Sequence, residues 1–167
     1  RLSVFAGGCT TDAADVVVGS QESAADDILG EIDALVDHSL LHSLVQADGE
    51  PRFRMLETVR EYGLEQLALA GEEDATRQRH ADYFTVLAEA GTPAYFYGPD
   101  QAQLLERLEL EHDNLRAALA WAANRGDVDL ALALVNGLWR FWYVRGYLSE
   151  GRDWVQAILA LRGTTQA

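Results

Sequence analysis

The hydrophobic pattern of residues 1–70 changes from helical to extended spacing and back again. This pattern predicts three short helices, then a two-stranded hairpin, then one more helix. The predicted helices cover Leu2 to Ala6, Thr11 to Val18, Ser23 to Asp37 and Leu56 to Ala70; the hairpin covers Leu40 to Met55, with its turn at Asp48-Gly49. Apolar residues alternate with Arg52 and Arg54 in the second strand, so we expect one hairpin face to pack and the other to face water.

The helix before the hairpin has a well-defined start and a single apolar stripe. Ser23 with Asp26 resembles a capping box, and Ile28 and Ile32 lie at helical spacing behind it. A helix, a hairpin and a core-facing helix in this order are typical of a winged-helix domain, which we expect over residues 1–70.

The rest of the chain predicts helices joined by short turns. Residues 75–90 keep helical spacing, and two prolines and two glycines then mark a loop over 91–100. Helices are expected over 101–124, 128–144 and 148–162, separated by the turns at Gly126 and Gly146. Short connections favour antiparallel neighbours, so residues 71–167 are predicted to form a helical array that is truncated at its C-terminal end. The fold class is therefore mainly α with one hairpin.

The charge balance disfavours nucleic acid as a partner. The chain has 27 acidic and 13 basic residues, a formal charge of −14, and such a field repels phosphate polymers. The helix before the hairpin, where a winged helix would present its DNA-reading surface, carries only acidic charges, and we expect Arg52 and Arg54 to pair with carboxylates or stay solvated. The acidic residues of that helix are Asp26, Asp27, Glu31, Asp33 and Asp37.

Composition also argues against an enzyme. All 13 basic residues are arginine, so the chain cannot supply a Schiff-base lysine or the lysine of a phosphate-binding loop. The lone Cys9 cannot form an internal disulfide, which fits a reducing, cytoplasmic compartment. No apolar run reaches the roughly 18 to 20 residues that span a bilayer. The start at Arg1, without methionine, is typical of a piece of a larger protein.

Four runs of residues together resemble the STAND-type (NB-ARC/AP-ATPase-like) signal-transduction ATPases of actinobacterial LuxR/SARP-type transcriptional regulators. The runs are RLSVFAGGCTTDAADVV, VDHSLL, GEPRFRMLETVREYGLEQL and EHDNLRAALAWAANRGD. The resemblance implies a nucleotide-binding domain upstream, a winged helix that closes over it, and tetratricopeptide-like helices as a sensor arm. Six residues fit the tetratricopeptide consensus spacing: Leu138, Trp142, Gly146, Gly151, Val155 and Ile158.

The resemblance also implies site residues and partners. Met55-Leu56-Glu57 stands where the family often has Met-His-Asp, whose histidine reaches the phosphates of bound ADP. Leucine cannot donate a hydrogen bond, so direct nucleotide contact is in doubt here. No cofactor is expected in this segment; ATP or ADP would sit in the upstream domain. The expected partners are that domain and an effector or protein at the helical arm, with no membrane partner.

The aromatic residues of the last third form a second candidate site. Trp139, Trp142, Tyr147 and Trp154 could line an effector groove or an interface, although packing between helices is the favoured interpretation. The last helix lacks a following neighbour, so Trp154, Ile158 and Leu161 are predicted to pack against a second copy.

The remaining candidates are histidines and carboxylates. His38 and His42 are separated by the expected end of a helix, and His80 and His112 have no nearby partners in sequence, so all four are interpreted as surface or capping residues and no metal site is expected. Glu109, Glu111 and Asp113 spread around a helix axis and predict a solvated face.

Together these observations predict a non-catalytic regulatory and interaction segment, cut from a multidomain regulator, that couples nucleotide state to effector or partner binding. The alternative is a DNA-binding winged-helix module of a transcription factor. A salt-dependent mobility shift with duplex DNA would distinguish the alternative from the main hypothesis.

Overall fold

The computed structural model describes residues 1–19, 25–46, 49–90 and 101–165, and it divides into unit 1 (Arg1–Tyr83) and unit 2 (Phe84–Ala167). Its elements are a 3-10 helix η1 (Leu2–Val4), α1 (Thr11–Val18), α2 (Ala25–Asp37), β1 (Leu41–Val45), β2 (Pro51–Met55), α3 (Glu57–Leu69), α4 (Glu73–Glu89), α5 (Gln101–Leu110), α6 (His112–Arg125), α7 (Val128–Arg145) and α8 (Leu148–Thr165). The prediction of a mainly helical chain with one hairpin is confirmed. The predicted loop over 91–100 lies outside the described residues.

Strand β2 is the middle of a small sheet in unit 1. It pairs antiparallel with β1, and Phe53 bridges to Cys9 on its other side through two backbone hydrogen bonds of 2.8 and 2.9 Å. Gly8 makes this close approach possible, because its φ is +80° and a Cβ there would lie 2.5 Å from the Phe53 carbonyl oxygen. The turn residue Gly49 also has a positive φ, as the hairpin pattern predicts.

The helices of unit 1 cover this sheet. The Thr10 side chain caps α1 by accepting a hydrogen bond from the Ala13 backbone N–H at 3.2 Å, and α1 packs on α2. Helix α2 buries Ile28 and Ile32, as its apolar stripe predicts. The expected capping box at Ser23 and Asp26 lies outside the residues whose side chains are described.

The alternation predicted for the hairpin is wrong beyond its base. Leu41 and Phe53 are buried, but Leu44 and Val45 are exposed and Arg52 is 2% exposed. Helix α2 contacts β1 and α1 contacts β2, but of the five residues of β1 only Leu41 is buried. Apolar residues toward the turn therefore remain in water.

Unit 2 is an array of consecutive helices. Two turns, at Gly126 and Gly146, end α6 and α7 in the left-handed conformation, and Asp127 caps the start of α7. Its core includes Leu108, Leu115, Leu119, Leu134, Leu138, Phe141, Trp142 and Ile158. The single helix predicted over 101–124 is wrong: it breaks between α5 and α6 at Glu111, whose buried side chain accepts a hydrogen bond from Asn114 Nδ2 at 2.7 Å.

Two glycines permit close helix packing in unit 2. A Cβ on Gly137 would lie 2.4 Å from the Ala88 carbonyl oxygen, and a Cβ on Gly151 would lie 2.7 Å from Trp142 Cε3. Gly151 thus leaves room for the buried indole. Both contacts need a residue without a side chain.

We expect Gly137→Ala to destabilise unit 2. The new methyl group meets a backbone oxygen that cannot rotate away, and overpacking of this kind costs about 1 to 3 kcal/mol, more than the gain in helix propensity of roughly 1 kcal/mol. Urea unfolding followed by tryptophan fluorescence measures the effect, because all four tryptophans lie in unit 2. The control is Gly30→Ala in α2 of unit 1, where nothing lies within 4 Å; urea unfolding followed by far-UV circular dichroism should show no destabilisation. Equal midpoints for Gly137→Ala and the parent would contradict the packing argument.

Among the described residues, no helix combines the length and the low polarity needed to cross a membrane.

Candidate functional site

Helix α2 occupies the position from which a winged helix would read DNA, directly before the hairpin. Its exposed charged side chains that the structure describes are all acidic: Glu31, Asp33 and Asp37. The helix carries no arginine at all. Base edges and phosphates need hydrogen-bond donors and positive charge, and this surface offers neither.

The hairpin arginines hold the base of the wing together. Arg52 is buried; its Nε donates a hydrogen bond to the Gly7 carbonyl at 3.0 Å, and its Nη2 donates to the Gly8 carbonyl at 3.1 Å. Arg54 donates from Nε to the same Gly7 carbonyl at 3.2 Å. Arg52 is therefore not solvated, since it is buried and donates to backbone carbonyls. The two side chains satisfy carbonyls that the turn at Gly7 and Gly8 exposes.

The other arginines of unit 1 are also engaged within the unit. Unit 1 has six arginines and 17 acidic residues, a formal charge of −11. Each arginine donates at least one hydrogen bond to an acceptor in the same unit; besides the two above, the pairs are Arg1 with Glu72, Arg60 with Glu57, Arg77 with Glu73 and Arg79 with the Val17 carbonyl. The surface field of unit 1 is consequently acidic, with its positive groups already directed inward or at carboxylates.

The segment expected to match the nucleotide-sensing position lies at the junction of β2 and α3. Met55 ends β2 and is partly buried, and Leu56 is the exposed N-terminal cap residue of α3. Glu57 begins α3 and binds Arg60, with Glu57 Oε1 2.6 Å from Arg60 Nη2. This ion pair lowers the pKa of Glu57, chiefly through the hydrogen bond from Arg60. The side chains of these three residues offer no hydrogen-bond donor for a phosphate.

The four aromatic candidates in unit 2 lie in different environments. Trp142 is buried against Gly151, whereas Trp139 is 44% exposed with the Arg140 guanidinium 4.5 Å from its ring centre. Tyr147 and Trp154 are partly buried. Ile158, expected to contact a second copy, is instead buried inside unit 2, while Trp154 and Leu161 are partly buried.

A polar cluster at one end of unit 2 joins three of its helices. His112 Nε2 lies 3.0 Å from Glu150 Oε1, and Arg116 Nη2 donates to Glu150 Oε2 at 2.5 Å. The His112 ring also packs on Tyr147, whose hydroxyl donates to Glu109 Oε1 at 2.5 Å. Each polar side chain of this cluster has a hydrogen-bond partner within it. The cluster therefore fastens α5 and α6 to the start of α8.

Sequence reasoning missed this cluster. His112 was expected at the surface and Glu111 on a solvated face, but both are buried. The available signal was the i, i+4 spacing of His112 and Arg116, which places both on one face of α6. Their shared partner Glu150 is 34 residues further along the chain than Arg116, a separation that periodicity cannot bridge.

We expect Glu150→Gln to weaken unit 2 at neutral pH. Burial raises the pKa of Glu150, but the hydrogen bond from Arg116 and the charge of His112 outweigh it and hold the pKa below the ordinary 4.5. Its stabilising contribution is thus present above pH 4.5 and lost as the pH falls through the lowered pKa. Because Arg116 is 44% exposed and solvent screens the pair, we expect about 1 kcal/mol.

Urea unfolding followed by tryptophan fluorescence between pH 3 and pH 7 measures this contribution. The difference between Glu150→Gln and the parent should shrink in acid. The control is Asp153→Asn, which removes an exposed pair with Arg152 and should leave the midpoint unchanged. A difference between Glu150→Gln and the parent that is independent of pH would contradict the assignment.

The other histidines do not assemble a metal site. His38 and His42 are exposed, as expected, whereas His80 is buried with its ring 5.2 Å from the ring of Phe5, so the interpretation as a surface residue is wrong for His80. In the part of the chain that the structure describes, no three histidine, cysteine or acidic side chains converge as metal ligands.

Known proteins match both the first unit and most of the chain. Residues 1–68 match the winged helix-turn-helix domain family. A candidate HTH-type transcriptional regulator of Mycobacterium tuberculosis is 40% identical over 160 residues, covering 95% of this chain and 18% of the relative, and the corresponding protein of Mycobacterium bovis matches equally. An uncharacterized Mycobacterium tuberculosis protein is 38% identical over 82 residues, covering 48% of this chain and 20% of its own length. No solved structure matches significantly.

Proposed function

We propose that this chain is a non-enzymatic segment of a transcriptional regulator, because residues 1–68 match the winged helix-turn-helix domain family. The observation that supports this proposal most directly is the 40% identity over 160 residues to candidate HTH-type transcriptional regulators. The chain spans only 18% of those relatives, so the activity of a whole regulator is part of the proposal.

Two uses of the winged helix are compatible with this role. The comparisons favour DNA contact, since they match a helix-turn-helix family and support it more directly than a nucleotide-driven switch. The charge distribution favours a protein contact, because α2 is acidic and all six arginines of unit 1 are engaged within it. We place protein contact first on these physical grounds, with DNA contact as the second candidate.

The proposed protein partner is another domain of the same regulator. The resemblance to STAND-type ATPases implies a nucleotide-binding domain upstream that carries ATP or ADP, on which the winged helix would pack in the resting state. The helices of unit 2, interpreted as tetratricopeptide-like, would then bind an effector or a second copy and shift the balance between closed and open states. Such a regulator would act in the cytoplasm.

The absence of lysine from this chain makes a sharp cross-linking test possible. Carbodiimide joins carboxylates to amines, so a cross-link from Glu31, Asp33 or Asp37 to a lysine must reach a residue outside the segment. In the complete regulator, we expect these three residues to cross-link to lysines of a neighbouring domain. Exposed carboxylates of α3, such as Glu65, serve as an internal reference.

Two results separate the candidates. Cross-links that disappear on adding operator-containing duplex DNA would favour DNA contact by the same surface. Cross-links from α2 that persist with DNA and change with ATP or ADP would favour the protein contact and its coupling to nucleotide. Uniform labelling of all exposed carboxylates would contradict a specific protein contact.

A further inference from the structure

The outer edge of strand β1 presents backbone groups that no strand covers among the described residues. Gln46 N donates to the Glu50 carbonyl at 2.9 Å, and the register pairs Leu44 with Arg52 and His42 with Arg54. Hydrogen-bonded pairs alternate along an antiparallel ladder, so residues 42, 44 and 46 bond to β2. The N–H and C=O groups of Ser43 and Val45 therefore point to the opposite edge, where the described sheet has no further strand.

This edge lacks the usual protection of an exposed strand. Natural proteins block free edges with lysine, proline, bulges or inward charges, whereas β1 reads LHSLV and keeps a regular register. Ser43 is exposed, and Leu44 and Val45 are 47% and 76% exposed, so the edge and its apolar side chains reach solvent together. An open, regular and apolar edge is suited to the addition of a strand from a partner.

The charge of unit 1 selects the partner. Strand β1 has no charged side chain unless His42 is protonated. Unit 1 as a whole has a formal charge of −11. A second copy or an acidic segment would be repelled, and an extended segment with basic residues would be attracted. Asp37, exposed at the end of α2 shortly before β1, adds negative charge near one end of the strand.

We propose that β1 binds an extended basic protein segment by strand addition, with Ser43 and Val45 exchanging backbone hydrogen bonds with it. This inference rests on the proposed protein-contact role of the winged helix and specifies where and what it binds. Side chains of the added strand would cover Val45 and Leu44, the apolar residues that the fold of unit 1 leaves exposed.

The test is amide hydrogen exchange of the full chain, followed by NMR, with a ten-residue peptide that alternates valine and arginine. At saturation we expect the Ser43 and Val45 amides to exchange at least about 10-fold more slowly, since strand addition converts free donors into ladder bonds. The His42 and Leu44 amides, already bonded to β2, are the internal reference. A peptide that alternates valine and glutamate should bind at least about 10-fold more weakly, given the charge of the unit.

A matched pair of variants tests the backbone role. Ser43→Pro removes the outward N–H at a position where an edge strand tolerates proline, and should weaken binding of the basic peptide about 10-fold or more. Ser43→Ala keeps that N–H and should bind like the parent. If Ser43→Pro does not fold, the exchange rates of the parent still decide the question.

Three results would overturn the strand-addition site: unchanged exchange at Ser43 and Val45, equal affinity for the acidic peptide, or equal binding by Ser43→Pro and Ser43→Ala. A separate titration with duplex DNA keeps this failure distinct from a failure of the proposed function. Salt-dependent DNA binding counts against the protein-contact role itself, whereas unchanged exchange without DNA binding removes only the site at β1.

Discussion

Replacing Gly8 with alanine should destabilise unit 1 by about 3 kcal/mol, the combined cost of a strained backbone and an overpacked contact. The φ of Gly8 is +80°, which disfavours any side chain. The new Cβ would also lie 2.5 Å from the Phe53 carbonyl oxygen and 2.6 Å from Arg54 Cγ. The Phe53 oxygen belongs to the bridge with Cys9, so it cannot move without loss of that pairing.

Amide exchange of Cys9 and Phe53 measures this loss directly, because each amide donates to the carbonyl of the other. A destabilisation of about 3 kcal/mol corresponds to a loss of protection of roughly 100-fold or slightly more. Gly49→Ala is the matched control, since Gly49 has a φ of +88° but nothing within 4 Å. Gly49→Ala should therefore lower the stability of unit 1 only by the cost of the strained backbone, without an overpacking cost. Equal losses of amide protection in Gly8→Ala and Gly49→Ala would contradict the argument that the close approach of Gly8 to Phe53 requires glycine.

Replacing Arg52 with alanine should cost unit 1 a similar amount, about 3 kcal/mol, because two charge-assisted hydrogen bonds to buried carbonyls are lost. The bonded atoms are the Gly7 and Gly8 carbonyl oxygens. Arg52→Lys keeps the charge but not the two-pronged geometry, so it should recover only part of the stability. Loss of secondary structure in unit 1 on urea unfolding, followed by far-UV circular dichroism, measures these differences.

Arg54→Ala provides the control for Arg52. Arg54 is exposed and donates a hydrogen bond of 3.2 Å to the Gly7 carbonyl, so its loss should cost less than about 1 kcal/mol. If Arg52→Ala unfolds no more easily than Arg54→Ala, Arg52 is not a structural residue and its availability for DNA must be reconsidered.

The sequence predicts the order of elements in unit 1 well, because local signals set it. Helix α1 begins and ends at the predicted residues, and the hairpin strands lie within the predicted range. Which hairpin side chains are buried could not be predicted, because the alternation of apolar and polar residues does not show how far the covering helices extend. Leu44 and Val45 look like core residues in sequence and are exposed in the structure.

The interior role of charged residues is the least predictable part of the site. Arg52 is buried because the backbone at Gly7 and Gly8, 44 to 45 residues earlier in the chain, exposes carbonyls to it. The break at Glu111 is equally hidden, since the apolar spacing runs on from Leu108 to Leu115 without glycine or proline between them. The charge of α2, in contrast, follows from the sequence alone.

The central claim is that the winged helix of this chain contacts protein and not DNA. The most direct test is fluorescence anisotropy of a labelled 30-base-pair duplex of random sequence, titrated with the chain at low and at physiological salt. A variant with Glu31→Arg, Asp33→Arg and Asp37→Arg reverses the charge of α2. It serves as the positive control, because an α2 with positive charge should bind the duplex. We predict no saturable binding by the parent up to about 0.1 mM even at low salt, where proteins with several phosphate contacts bind in the micromolar range. Saturable binding by the parent that weakens steeply with salt would contradict the claim.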